Sequence, residues 1–234
     1  MTSELRGKVA LVTGGAVRVG RAISLGLAEA GCDLFLHYGR SADPAREVRK
    51  EAARWGAKVE LFSADLADAA AVREVVPAAI EAFGKVDILV NSAALFLDGG
   101  LMETTLSMWE RQFAVNLRAP FLLCQAFARQ SHFTPSEPGK IVNIGDARVF
   151  RPAPDHFAYR LTRSALFSMT RALAKDLAPA ITVNGLALGA ILPPPGEDIS
   201  YLERLAAERI PLRRPGNAEL VAVICSKAKL SSGR

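Results

Sequence analysis

Apolar residues in this chain fall into short continuous runs separated by longer segments with helical spacing. The runs predict strands at KVALVT (Lys8–Thr13), DLFLH (Asp33–His37), KVELFS (Lys58–Ser63), DILVN (Asp87–Asn91), KIVNI (Lys140–Ile144) and ITVNGLA (Ile181–Ala187). Apolar positions within them are consecutive, with no regular polar alternation, the pattern of parallel strands covered on both faces. Between them GRAISLGLAEAG, REVRKEAARWG and AVREVVPAAIEAFG have helical periodicity, and each ends at a glycine suited to a C-terminal cap. Strand–helix alternation along the whole chain implies right-handed crossovers, hence an α/β fold with a Rossmann-like, doubly wound parallel sheet flanked by helices. No repeat, low-complexity tract or linker divides it, so residues 1–234 read as one domain. In such sheets ligands bind beyond the carboxyl ends of the strands.

Composition narrows the ligand. The 50% hydrophobic content suffices for a core, and the net charge of +5 is mildly basic. Lys and Arg are scattered, without the clustered stripe that nucleic acid requires, so a diffuse positive field for an anionic small molecule is the better reading. Cys32, Cys124 and Cys225 lack CxxC spacing, and His37, His132 and His156 are dispersed, so neither a disulfide framework nor a metal site is expected. The start MTSELRGKVALVTGG is unlike a signal peptide. The longest uncharged stretch, Ala178 to Gly196, is interrupted by Gly185, Gly189 and Pro193 to Pro195, which argues against a membrane span. A soluble cytoplasmic setting is expected.

The first predicted strand runs into TGGAVRVG, Thr13 to Gly20, and then a helix. Gly14 permits a tight turn, Gly20 lets the helix pack close, and the helix N-terminus offers free N–H groups to a pyrophosphate. Such a loop after the first strand of an α/β repeat points to a dinucleotide. An NAD site usually has a carboxylate at the end of the second strand. Asp33 instead begins that strand, while its carboxyl end reads His37-Tyr38-Gly39-Arg40-Ser41. Arg40 and Ser41 offer a cation and a hydroxyl to a 2′-phosphate, favouring NADPH over NADH. Asp65-Leu66 after the third strand can hold the adenine, and Asn91-Ser92-Ala93-Ala94 after the fourth can line the nicotinamide ribose. Taken singly, each is also compatible with an ordinary helix-starting turn.

With these pieces in order the chain resembles the short-chain dehydrogenase/reductase superfamily from Gly7 to about Ala222. The matching segments are TGGAVRVG, with Val19 in its loop, DL at 65–66, NSAA at 91–94, VNL at 115–117, an Asp146/Tyr159 pair and VNGLALG at 183–189, ending at Gly189. Within that superfamily it looks most like the pteridine reductases. Arg18 stands where most members have the middle glycine of the cofactor loop, and Asp146 where most have a catalytic serine. Phe96 matches the aromatic that stacks on a pterin, and HYGRS resembles the group's NADPH-selecting turn. The resemblance implies that Tyr159 is the proton donor, that Asn116 holds a water in a proton relay, and that the assembly is a homo-oligomer, tetramer or dimer. The spacing 159 − 146 = 13 suits such a pair, though a surface acid beside an unrelated core tyrosine would share it. A carboxylate near a phenol opposes a second anion, keeping Tyr159 protonated and able to donate at neutral pH.

Two departures stand out. The family has lysine four residues after the tyrosine, where it binds the nicotinamide ribose; this chain has Arg163. Arginine keeps the charge and the hydrogen bonds but does not release a proton. After PLRRPGNAELVAV the chain reads ICSKAKLSSGR, where the family has a further apolar strand. A sheet lacking that last strand, with an atypical C-terminus after about residue 222, would show lowered stability or altered assembly. In addition Leu188 replaces the proline usual before Gly189, and the prolines at 193–195 stiffen the approach to a substrate lid near 190–212, centred on Glu197 to Ile210. The leading function is NADPH-dependent reduction of a pterin or dihydropterin. A carbonyl reductase of another class, such as a 3-oxoacyl thioester reductase, and a cofactor-binding homologue with impaired catalysis remain alternatives.

Overall fold

The computed structural model describes residues 5–150, 155–194 and 196–227. Six strands occur in chain order: β1 (Val9–Thr13), β2 (Asp33–Tyr38), β3 (Val59–Ser63), β4 (Ile88–Asn91), β5 (Gly139–Asp146) and β6 (Ile181–Leu188). All neighbours pair in parallel in the order β3-β2-β1-β4-β5-β6, the doubly wound arrangement expected. β5 runs two residues further than the apolar run suggests, because Gly145 and Asp146 stay in register with Ala187 and Leu188 of β6. Asp146 thus sits on a strand end and not in a free loop.

Eight helices cover this sheet among the described residues: α1 (Arg18–Glu29), α2 (Ala42–Ala52), α3 (Ala69–Phe83), α4 (Leu106–Phe113), α5 (Ala119–Ala128), α6 (Phe157–Asp176), α7 (Ile199–Arg209) and α8 (Ala218–Lys227). The helices end where the glycines stand: Gly31, Gly56 and Gly84 all take the left-handed conformation that other residues avoid. Strand side chains alternate between two cores, which explains the uninterrupted apolar runs. Ala10, Val12, Leu34, Leu36 and Val90 join one core with Ile23, Leu27, Val48 and Val221. Leu11, Phe35, Leu89 and Ile141 join the other with Val75, Ala79, Leu123 and Phe127. No helix among the described residues is long and apolar enough to cross a membrane, and no cluster there could hold a metal.

The tail expected to lack a strand begins inside α8, which continues to Lys227 and packs on α1; residues 228–234 lie outside the described chain. At the close approach of α1 and α8, a Cβ on Gly26 would lie 2.5 Å from the Ala222 Cβ.

A second close packing matters more for the site. α6 presses Phe167 onto the sheet where β5 and β6 have glycines. A Cβ on Gly145 would lie 2.4 Å from the Phe167 ring, and one on Gly185 would lie 3.0 Å from it. Those two missing side chains set the height of α6 above β5. Gly145→Ala should therefore lower the melting temperature through overpacking of about 1–3 kcal/mol, roughly 2–4 °C for each kcal/mol at this size. Phe167→Leu, which shortens the ring, should restore much of the loss; a calorimetric scan of both variants and their combination checks this.

Candidate active site

A cavity of about 1280 Å³ opens along the carboxyl ends of β1 to β6, spanning the β1–β4 point where the winding reverses. Gly14, Arg18, Val19 and Gly20 line it from the first loop; Arg40, Asp65, Leu66, Ser92 and Ala93 line it from the next three crossovers. Phe96, Asp146, Tyr159, Arg163 and Gly189 line its other half. Those fourteen expected residues meet in one place, and His37 borders it from below. Tyr38, Ser41, Asn91 and Asn116 do not line it. Tyr38 packs against the first core, Ser41 stands at the start of α2, and the two asparagines are buried beneath.

The first loop is shaped by backbone contact. Gly14 turns with φ 61°, and a Cβ on Gly20 would fall 2.0 Å from the Gly14 carbonyl oxygen. Only glycine fits there. α1 begins with no capping side chain and no acid in its first turn, leaving free N–H groups toward the cavity. Arg18 takes a left-handed φ of 52° and donates from Nη2 to the Pro193 carbonyl at 2.9 Å, tying the loop to the segment before α7. The expected lid segment contributes Tyr201, Leu205, Arg209 and Ile210 to the cavity wall; Pro195 lies outside the described residues.

Tyr159 rises from the first turn of α6 and donates its hydroxyl hydrogen to Asp146 Oδ2 at 3.0 Å; the carboxylate's other oxygen accepts the Arg148 N–H at 2.8 Å. The two groups read from sequence as a proton-transfer pair are thus directly bonded. Burial is the largest cause raising the Tyr159 pKa above the usual phenol value; Arg163 opposes it and the Asp146 charge adds to it. The sequence argument credited the carboxylate alone, whereas desolvation is the larger effect.

Arg163, one turn along α6, is only 2% exposed, and its guanidinium carbon lies 5.1 Å from the Tyr159 ring centroid. Its Nε and Nη1 meet no acceptor among the described residues, and the buried Asn91 Oδ1 meets no donor there. A buried cation with two unmatched donors on the edge of the cavity suits a ligand that brings oxygen acceptors. Together with the glycine loop, this fits the ribose and phosphates of a dinucleotide.

Asn116 lies in a π-helical turn, Ala114–Arg118, that joins α4 to α5, a distortion common at functional sites. Its amide receives the Leu95 N–H at 2.7 Å and donates to the Leu95 carbonyl at 2.8 Å and to Thr162 Oγ1 at 3.2 Å. It therefore fastens the exit of β4 to α6. Sequence reasoning missed three contributors. Thr13 Oγ1 accepts the Ser92 and Ala93 N–H groups at 3.0 and 3.1 Å and so aligns the NSAA turn. Arg148 places its guanidinium carbon 5.1 Å from the Phe96 ring centroid. His156 stacks on Phe96 at 4.0 Å between centroids. Thr13 was visible as the residue leading into the glycine loop; the other two carry no pattern.

His37, at the cavity wall, also clips the first loop in place. Its Nδ1 accepts the Gly14 N–H at 3.2 Å, so the hydrogen resides on Nε2, which faces the Ala64 carbonyl at 3.0 Å. Burial pushes its pKa below the usual histidine value. A group whose folded pKa is depressed contributes stability that is present above its unfolded value, about 6.5, and lost as pH falls through the folded one. The melting-temperature difference between the wild type and His37→Gln should therefore shrink between pH 7 and pH 5. A constant difference across that range would remove the clip.

The family model described as short chain dehydrogenase matches residues 8–200. A Brucella canis structure, FolM alternative dihydrofolate reductase 1 complexed with NADP, is 32% identical with a TM-score of 0.87, covering 96% of this chain and 88% of that one. A Serratia marcescens short-chain dehydrogenase/reductase is 37% identical with a TM-score of 0.84, covering 95% and 90%. The 3-oxoacyl-[acyl-carrier-protein] reductase FabG of Staphylococcus epidermidis is 32% identical, covering 97% and 95%. With that model matched over most of its length, the chain belongs to the short-chain dehydrogenase family.

Proposed function

We propose that this oxidoreductase uses NADPH to reduce a pterin or dihydropterin. The observation that carries the reading is the Tyr159 hydroxyl bonded to a carboxylate, with the Phe96 ring edge-on to Tyr159 at 4.6 Å and 48% exposed to the cavity. Phe96 offers a flat bicyclic ring a surface to stack on. Asp146 offers charge to ring N–H and amino donors, which a neutral serine does not. The NADP complex of the Brucella canis alternative dihydrofolate reductase, alike over nearly the whole chain, points the same way.

Residues suited to the cofactor are Gly14, Val19 and Gly20 at the pyrophosphate, Arg40 at the 2′-phosphate, and Ser92, Ala93, Gly189 and Arg163 toward the nicotinamide ribose. When bound, NADPH supplies a hydride to a ring carbon. The neighbouring ring nitrogen needs a proton, and Tyr159 holds one because its pKa is raised. Arg163 stabilises the phenolate left behind but does not return a proton, so reprotonation falls to solvent entering the cavity.

A second reading, reduction of a 3-oxoacyl thioester, is favoured by the FabG relative. Asp146 and Phe96 weigh against it, since an acyl chain has no donors for the acid and no flat ring for the aromatic. We further propose a single domain, a substrate lid near 190–212, a cytoplasmic setting and a homo-oligomer. Exposed Leu106 and Phe121 on α4 and α5 leave apolar surface for a second copy.

NADPH consumption with dihydrobiopterin or dihydrofolate, run beside a ketone and an acyl thioester, tests the reading; turnover on the thioester alone would remove the pterin. The pH profile tests the donor. Tyr159 is protonated until pH passes its raised pKa, so the alkaline fall in turnover should begin above about pH 10. Asp146→Asn removes one raising cause and leaves Arg163, so that fall should move to lower pH. Arg163→Lys should raise turnover several-fold while NADPH affinity, followed by fluorescence quenching, changes little; unchanged turnover would mean that proton return does not limit the rate.

A further inference from the structure

Phe96 alone does not explain how an exposed ring on a loop keeps its orientation. His156 packs its imidazole on that ring at 4.0 Å with an interplanar angle of 27°, while Tyr159 meets the same ring edge-on. At that separation the imidazole excludes any other group from the face it covers. The Arg148 guanidinium carbon lies over the same ring at 5.1 Å from its centroid, a third group that orders this side of the cavity.

His156 is itself held firmly. It precedes α6 with φ 49°, a left-handed conformation unusual for a residue other than glycine or asparagine. Its Nδ1 lies 3.1 Å from the Leu97 carbonyl and 3.5 Å from Asp98 Oδ1, so Nδ1 carries the hydrogen. Next to it the Phe157 N–H donates to the Gly99 carbonyl at 2.8 Å. The loop after β4 and the start of α6 are thus joined at two adjacent points, with the Phe96–His156 stack between them. A residue serving only to begin the helix would give its side chain to the free N–H groups there, yet His156 makes no capping bond.

We propose that His156 is a positioning residue that fixes the Phe96 ring and thereby sets affinity for a flat aromatic substrate, independently of cofactor binding and proton transfer. The inference rests on the pterin reading for the identity of that substrate, but not for the contact.

His156→Asn is the informative variant, because asparagine tolerates the left-handed conformation and keeps a donor toward Leu97 while removing the ring. In the full chain saturated with NADP+, it should weaken dihydrobiopterin binding by about 3- to 10-fold, the range of one aromatic pair. KM should rise by a similar factor, with kcat within about twofold and NADPH affinity unchanged. In a Phe96→Leu background the same change should add nothing, since the partner is gone. An equal loss in that background, an unchanged KM, or a matching loss of NADPH affinity would overturn the proposal. If the wild type binds no pterin but reduces an acyl thioester, the pterin reading fails, and the same double-mutant cycle on the thioester's KM decides the positioning role.

Discussion

The bond between Asp146 and Tyr159 joins a strand end to a helix start, so it exists only if α6 lies at one height above β5. That height is set by absence. Gly145 and Gly185 present bare backbone where the Phe167 ring lands, and any side chain there would lift the helix. A displacement of one ångström suffices to break a 3.0 Å hydrogen bond. Proton-donor geometry in this chain therefore depends on packing two turns further along α6, at Phe167, which does not line the cavity.

The same economy orders the cofactor end. Gly20 allows α1 to begin almost against the turn at Gly14, and the neutral His37 ring holds that turn to the exit of β3 through the Ala64 carbonyl. Thr13 does the equivalent for the exit of β4. Loops that bear binding groups are thus tied to strand ends by single buried side chains, which limits their freedom before any ligand arrives.

Much of this was legible in the chain. Continuous apolar runs gave all six strands because parallel strands bury both faces, and glycines marked the helix ends because left-handed caps admit little else. The spacing of Asp146 and Tyr159 anticipated their bond. What escaped had physical reasons. Burial outweighs the Asp146 charge at Tyr159, and burial is a property of neighbours distant in sequence. His156 and Arg148 act on Phe96 across 156 − 96 = 60 and 148 − 96 = 52 positions. No periodicity relates them, and only the fold brings the loop after β4 against the start of α6. The bonds from the Asn116 amide to Leu95 and Thr162 depend on the π-helical turn carrying it, which no sequence pattern announces.

Arg163 draws the two ends of the cavity together. A lysine there would be a compact cation able to lose its proton when desolvated; arginine stays charged under any burial. At 2% exposure its guanidinium is out of water, where a charged donor depends on the partners its surroundings supply. Its position over the Tyr159 ring supplies one such partner through cation–π attraction. Its charge also opposes the burial that raises the Tyr159 pKa. Acceptors entering from the cavity would meet a cation already packed against the proton donor. The replacement that removes a proton carrier thus keeps a fixed charge beside the phenol.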